Sequence, residues 1–536
     1  MKKIFYLILL VFPIIILGIV NMSSAVIART IPIPVESVEI SPEQKEITGT
    51  VGDSVRLNVT VYPSGAKNKL LHFSSSDTDV ATVDQDGIVH FEQYGYAVIT
   101  VRSDDGNYTD ECDVMLADPG DDPADVKAVV ASYREDLHSS YRFGAGNAVA
   151  VTYKVFPKTA VNPVSFACDG GTVSDIGSGA FTVAFDGTGE HVLRASSRNS
   201  DGSENSFELY TFRVYEGMNA VADTPFSEFS GWLSVETNVY LLSDYKIASP
   251  VVCSGCTLYG NGWKLDHSGL PHYTDEALDG NVKAVTLGEN AVLDSVRVVG
   301  AVDENRLVYN RVHNVGLLGN NAAVRNCTIE NGKYNISTYG DPIGGTSGQN
   351  LAVDNTRMIG AAVACIQGNC GRAYGYKQVG VTLSVRDLYF DISIVGILVE
   401  NNALDDENVR GRSVVNVLPS AKGGEYTLVS NNWRNLDEGY SAAESMGLEY
   451  IIDEVREMEE IVYKDEYNDY FVNCVILKMG GASNYSEVIF DGGAENLNEC
   501  FAYVERKPNA LEGMQLGGRW PFEVWCLKSS YYGRIG

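Results

Sequence analysis

The chain has 536 residues, 45% of them hydrophobic, with 53 glycines and a formal net charge of −30. That length calls for several domains, and the apolar and glycine content fits folded, turn-rich β structure rather than disorder. The charge excludes nucleic acid as a partner, because phosphate binding needs clustered Lys and Arg. It fits a soluble surface protein with solvated charge; no cofactor is evident, and Ca²⁺ is the one ion kept as a candidate.

Lys2 and Lys3 precede a charge-free apolar run from Ile4 to Val20, followed by small residues at Ser23/Ala25 and Val26/Ala28. A basic start, an apolar stretch and a small-residue cleavage site describe a secretory signal over residues 1–28. The alternative is an uncleaved N-terminal anchor, which would be the chain's contact with a membrane. The expected location is extracellular or at the cell surface. Ten cysteines are scattered along the chain, and Cys253-Ser-Gly-Cys256 and Cys365/Cys370 are the close pairs. No second CxxC or HxxxH follows, and no helix start frames the CxxC. Buried or locally paired thiols are therefore expected ahead of a metal or redox role.

Ile31-Pro-Ile-Pro34 is a stiff spacer. Beyond it, Ser37–Ile40 and Ser54–Val61 alternate apolar and polar residues, punctuated at Gly52-Asp53 and Pro63-Ser64-Gly65. Val80–Val83 and Ile88–Phe91 read as strands joined by a hairpin at Asp86-Gly87, and Ala97–Val101 returns after Gly95. Period-two alternation with turns at this spacing is a β-sandwich pattern. The order of features, an early "V..V.I", then "L...V.P..A", then "SSSD..VATVD..G.V.....G.A.ITV" from Ser74 to Val101, resembles the bacterial immunoglobulin-like domain, group 2, over residues 35–117. Phe73 stands where that family usually carries Trp, and the resemblance implies a large aromatic core plug there. It also implies an extracellular scaffold module without catalytic residues.

Asp118–Pro123 is an acidic, turn-rich linker. Asp125–Leu137 is compatible with a short helix or an edge strand. Over residues 124–216 the β pattern returns at Val149–Phe156, Ala180–Phe185, Glu190–Ala195 and Ser206–Val214, which predicts a second immunoglobulin-like sandwich.

From residue 222 to 536 a different rule applies. Leu293–Val298, Val324–Ile329, Val353–Met358 and Val385–Phe390 share an apolar-x-[Ser/Asn/Asp]-x-x-apolar unit, with Val429–Arg434 as a degenerate fifth; the steps are 31, 29, 32 and 44 residues. A unit recurring at near-constant step predicts stacked coils, each burying the apolar side of its neighbours. The third positions, Ser295, Asn326, Asn355, Asp387 and Asn431, are expected to form a structural ladder at one coil corner. Together with Tyr259-Gly-Asn-Gly-Trp-Lys-Leu265, the pattern resembles right-handed parallel β-helix (pectin-lyase-like) proteins. The apolar spacing of Met446, Leu448, Ile451, Ile452, Val455, Met458 and Ile461 predicts an amphipathic helical insertion at about 442–463. Strands at Tyr470–Leu477 and Val488–Phe490 resume the stack, and Phe522–Leu527 is expected to close it.

β-Helices of that kind include polysaccharide-cleaving enzymes, so the carboxylates deserve a test. Asp405-Asp406 is expected in a loop, no Gly-His-Gly follows, and Arg534-Ile535-Gly536 only partly resembles the Arg-Ile-Lys of polygalacturonase-like hydrolases. Asp275, Glu276 and Asp279 with Lys283, or Asp303 and Glu304 with Arg306, have the residue types of a Ca²⁺-assisted lyase. Their spacing is that of ordinary charged loop tips. His267 and His272 flank a turn beside Asp266; they have the residue types of an acid/base or metal pair, but two surface histidines on a turn are the commoner arrangement. Trp263, Tyr273, Tyr339, Tyr374 and Tyr376 are candidates for stacking on sugar rings. No catalytic, cofactor-binding or metal-binding residue is assigned. The expected protein is all-β, two immunoglobulin-like sandwiches followed by a right-handed parallel β-helix. Its expected role is non-catalytic, with the sandwiches as a stalk and the stack binding extracellular polysaccharide or a host or cell-surface ligand. The alternatives are a polysaccharide lyase or glycoside hydrolase acting on acidic polysaccharide, and a structural spacer.

Overall fold

A computed structural model describes residue 35 and residues 37–104, 108–132, 141–235, 237–270, 282–301, 312–338, 349–361, 364–368, 381–391, 395–401, 413–421, 428–431, 474–480, 486–491, 501–506 and 522–527. The signal segment 1–28, the helical insertion at 442–463, Asp405-Asp406 and Arg534–Gly536 lie outside the described residues. The chain divides into two compact units, residues 1–130 with 154–165 and 196–207, and residues 131–153 with 166–195 and 208–536.

In the first unit the predicted sandwich is present. Ser37–Ile40 pairs antiparallel with Val59–Tyr62. Glu46–Thr48, Thr109–Leu116, Gly95–Ser103 and Leu71–Ser75 form a four-stranded sheet, and Ser54–Arg56, Ile88–Phe91 and Ala81–Val83 a three-stranded one. Alternate residues of these strands, among them Val89, Phe91, Ala97, Ile99, Val101, Cys112 and Val114, are buried in one core. The hairpin at Asp86-Gly87 forms as its residues demand. Gly87 takes φ +74, and the Asp84 carboxylate accepts the N–H groups of Asp86 and Ile88, both at 2.9 Å. Phe73 is half-buried and packs against the core from its margin rather than plugging its centre.

The second β region is aromatic. Ala148–Phe156, Ala180–Phe185, Gly171–Gly177, Val164–Cys168, Gly189–Arg198 and Glu204–Tyr215 follow one another in a single hydrogen-bonded sheet, ending on Phe143–Gly144. Phe143, Phe181, Phe185, Phe212, Val183 and Leu193 gather in its core. Ala128–Ser132 is a strand, which decides the described part of the ambiguous 125–137 stretch for β; residues 133–137 lie outside the described residues.

The rest of the second unit is a parallel β-helix. A first sheet stacks Val239–Leu241, Thr257–Tyr259, Val292–Asp294, Ala322–Arg325, the start of Gln349–Ile359, the start of Val381–Asp391, Ser413–Val417 and Glu487–Phe490, all parallel. A second stacks Tyr245–Lys246, Lys264–Asp266, Arg297–Val299 and Thr328–Glu330 on the later halves of 349–359 and 381–391, then Leu428–Asn431. A third runs through Val251–Cys253, Lys283–Leu287, His313–Leu317, Tyr334–Ser337, Ala364–Gln367, Val395–Asn401 and Cys474–Gly480. The repeat read from sequence is this stack. Leu293, Val324, Val353 and Val385 lie in register, as do Val298, Ile329, Met358 and Phe390.

The fifth repeat needs correction. Val385 is paired with Val417, 32 residues on, and Val429 instead sits over Tyr389 in the second sheet. Eleven positions separate Val417 from Leu428 where three separate Val385 from Leu388, so the sequence match slid onto the next strand. Both ends of the stack are covered. At the start, the helix Phe226–Trp232 buries Phe229, its ring 4.2 Å from that of Tyr245. Seven residues are too few to show a helical period, so this helix left no sequence signal. At the end, Phe522–Leu527 pairs antiparallel with Cys474–Gly480 and with Phe501–Arg506, so the third sheet's parallel run ends on an antiparallel hairpin.

Candidate functional site

On the first sheet of the β-helix, inward residues such as Leu293, Val324, Val353 and Val385 are fully buried, so the alternate residues face outward. Each coil presents three of them, Asn290-x-Val292-x-Asp294, Asn321-x-Ala323-x-Arg325, Asn350-x-Ala352-x-Asp354 and Thr382-x-Ser384-x-Arg386. Register stacks them into columns about 4.8 Å apart per step: an amide column, a column of small side chains, and a column of alternating charge. The result is a shallow shelf across four coils, floored by Ala323, Ala352 and Ser384.

Asn290, Asn321 and Asn350 are all exposed. Asn321 donates from Nδ2 to Asn290 Oδ1 at 3.2 Å, and its backbone N–H donates to Asn350 Oδ1 at 2.6 Å. Asn290 and Asn321 take left-handed backbone at φ 53° and 55°, a conformation Asn tolerates and β-branched residues do not. The corner thus dictates the residue type, and the residue type leaves a row of amides pointing at solvent. On the far side, Arg325 Nε donates to Asp294 Oδ2 at 2.9 Å, and Arg386 makes a two-pronged pair with Asp354, one arm 3.1 Å long. Next to this column, Arg297 holds Glu330 in the same way, one arm 3.0 Å long. Carboxylates and guanidiniums do converge here, and they are matched one to one across coils.

The predicted corner ladder lies just beyond the charge column. Ser295, Asn326, Asn355 and Asp387 all take positive φ, between 42° and 57°. Asn355 Nδ2 donates to Asn326 Oδ1 at 2.9 Å, and Asn326 Nδ2 donates to Asp294 Oδ1 at 3.1 Å. Asn431 is not part of it; it aligns with Asp391 in the second sheet. Asn261 (φ 51°) marks the same corner one coil earlier. The step from Leu258 to Leu265 is two residues longer there than from Leu293 to Val298, which hid it from the repeat.

His267 is not a surface residue. It is 1% exposed, and its Nε2 lies 2.7 Å from Asn314 Oδ1. Asn314 Nδ2 donates to Asn335 Oδ1 and to the Glu330 carbonyl, both at 2.9 Å, and Asn335 Nδ2 donates to the Ile359 carbonyl. Because Asn314 Oδ1 can only accept, His267 carries its proton on Nε2. Burial holds its pKa below the ordinary imidazole value. His313, on the neighbouring position, is also 1% exposed, edge-on to Tyr334 at 5.0 Å, with neither ring nitrogen hydrogen-bonded among the described residues. Burial, then the charges of Lys333 and Lys283, push its pKa well below the ordinary value. Both imidazoles are buried in the stack.

Trp263 is half-buried against the core of the stack. Lys283 is half-buried, in register with His313. His272, Tyr273, Asp275, Glu276, Asp279, Asp303, Glu304, Arg306, Tyr339, Tyr374 and Tyr376 lie outside the described residues. Among the described residues no group of three metal-ligating side chains gathers. The outward shelf was missed by reading each repeat from its first apolar residue. Starting three residues earlier shows Asn-Ala-Val-Leu-Asp, Asn-Ala-Ala-Val-Arg, Asn-Leu-Ala-Val-Asp and Thr-Leu-Ser-Val-Arg.

The described architecture is that of an all-β protein with an N-terminal immunoglobulin-like module and a parallel β-helix. Residues 34–114 match the family of bacterial Ig-like domains (group 2). The chain is 34% identical over 101 residues to an Ig-like virion protein of Serratia phage KSP90, covering 19% of this chain and 38% of that protein. It is also 34% identical over 84 residues to a kappa-carrageenase of Pseudoalteromonas carrageenovora, covering 16% of this chain and 21% of that protein. The chain thus spans well under half the length of these relatives. Among solved structures, three cadherin repeats of Drosophila N-cadherin align with 34% of this chain and 68% of that one, at 13% identity and a TM-score of 0.16. Domains 5–6 of the S-layer protein SbsC align with 33% and 97%, at 12% identity and 0.14.

Proposed function

We propose that this is an extracellular or virion-associated surface protein whose β-helix binds carbohydrate along the outer shelf of its first sheet, with the immunoglobulin-like region as its stalk. The exposed amide row Asn290, Asn321 and Asn350 carries this reading. Amides offer two donors and an acceptor each, the set that recognises sugar hydroxyls, and a floor of Ala and Ser lets an extended chain lie flat against the backbone. The alternating Asp and Arg column limits that shelf on one side with its charges already compensated. The virion protein and carrageenase among the relatives of the Ig-like region support an external location. The expected behaviour is retention on immobilised polysaccharide, with kappa-carrageenan and acidic and neutral glycans on the panel. Replacing Asn321 and Asn350 together by Ala should weaken retention about tenfold or more, since each amide contributes roughly 0.5–1.5 kcal/mol; Ala at the left-handed Asn321 also costs about 1 kcal/mol of stability, so retention is read well below the lowered melting temperature. New reducing ends or unsaturated products after incubation with Ca²⁺ would replace the non-catalytic reading by a hydrolase or lyase. Retention unaffected by the two substitutions would remove the shelf as the site.

A further inference from the structure

The turn Cys253-Ser254-Gly255-Cys256 joins the third sheet to the first at the start of the β-helix. Its backbone is held from both sides. Ser254 N–H donates to the Leu233 carbonyl at 2.9 Å and Gly255 N–H to the Glu289 carbonyl at 2.7 Å; Gly288 N–H donates to the Cys253 carbonyl at 2.7 Å and Val292 N–H to that of Cys256 at 3.0 Å. Gly255 takes φ +66°, which turns the chain tightly enough to aim both cysteine side chains into the core. Cys253 is 0% and Cys256 3% exposed. Their sulfur atoms lie 2.9 Å apart, about 0.9 Å beyond a covalent disulfide. That is closer than two unbonded thiols rest. The Cys256 thiol also lies 3.3 Å from the Leu233 carbonyl, and Cys112, Cys168, Cys327 and Cys365 are likewise buried with their thiols against backbone carbonyls; what sets Cys253 and Cys256 apart is the nearness of the two sulfurs.

We propose that Cys253 and Cys256 close as a disulfide when the chain folds in the presence of a disulfide oxidant, pinning the first corner of the β-helix beneath its capping helix. The chemistry balances in two exchanges. One cysteine thiolate attacks an oxidised low-molecular-weight disulfide such as glutathione disulfide, forming a mixed disulfide and releasing one thiol. The second cysteine loses its proton and displaces the other thiol, so the Sγ–Sγ bond forms and the two electrons leave on two molecules of reduced glutathione. The buried state of both sulfurs places these exchanges during folding, before the coil is covered. Within the cell's surroundings the bond depends on the extracellular reading, because oxidising compartments keep disulfides; its chemistry does not.

The test uses the full chain, refolded in a glutathione redox buffer, then denatured with iodoacetamide and no reductant, digested, and read by mass spectrometry. The expected result is a peptide holding both cysteines, two hydrogens lighter than its thiol form and unalkylated until reduced, while Cys112, Cys168 and Cys327 are alkylated. Reductant should lower the melting temperature of the wild type by a few degrees and leave the Cys253→Ala/Cys256→Ala protein unmoved. Alkylation of both thiols after oxidative refolding, or linkage of either to another cysteine, overturns the proposal. A bond that forms on refolding but is absent from protein recovered from its host upholds the proposal and overturns the extracellular reading instead.

Discussion

His313 and His267 carry opposite lessons about buried polarity. His267 is built into a hydrogen-bonded row with Asn314 and Asn335, so its burial is compensated on one nitrogen. His313 is buried with two lysines acting on it, and both influences disfavour its charged form. The sign follows from linkage. The unfolded chain binds a proton near the ordinary histidine pKa, about 6.5, while the folded chain binds it only at lower pH. The stability this contributes is complete above that value and is lost as pH falls toward the folded pKa, at up to about 1.4 kcal/mol per pH unit for each histidine. Urea unfolding between pH 7.5 and 5 should therefore show a falling midpoint. His313→Phe, of similar volume and without a titrating group, should flatten that slope; an unchanged slope would mean that the imidazole takes up its proton equally in the folded and the unfolded chain.

Among the elements, the coil corner and the charge column show how much a six-residue unit specifies. The left-handed residues at 295, 326, 355 and 387 were expected as a polar ladder from their residue types, and their positive φ gives the reason: Ser, Asn and Asp bear that backbone at less cost than branched residues. The column Asp294, Arg325, Asp354, Arg386 was not read from sequence, because opposite charges 29 to 32 residues apart meet only once the register is set. Asp354 and Arg386 side chains remain 31% and 36% exposed, so solvent screens them. A double-mutant cycle with Asp354→Ala and Arg386→Ala should return a coupling of about 0.2–1 kcal/mol that shrinks toward zero in 1 M salt. A coupling several times larger would mark the column as a main support of the stack.

For the whole molecule, the immunoglobulin-like module has a core of its own, while Tyr96 and Met115 pack on Ala128, Val130 and Phe156 beyond it. Its core residues all fall between Val35 and Leu116, and its sheets close within Ser37–Leu116. A fragment of residues 31–118 should unfold cooperatively in urea with the β-sheet circular dichroism of a folded domain; a broad, non-cooperative transition would show that it needs the remainder of the chain. The β-helix has no such boundary. One hydrophobic cluster runs from Ala220 to Trp525 through every described coil, which is the expectation for a stack in which each coil covers its neighbours.

What the sequence determined by itself was local and periodic. Alternation placed the strands of the first module, Asp86-Gly87 placed its hairpin, and the recurring unit placed Leu293, Val324, Val353 and Val385 on one line. These succeed because the backbone's own preferences and a fixed period act over a few residues. Four features were decided only by the tertiary structure: the correct fifth coil at Val417, the burial of His267, the half-burial of Trp263, and the outward grid of amides, small residues and charges. In each, the deciding neighbour lies on another coil, some 20 to 50 residues away, and only the parallel register brings it to within one strand spacing.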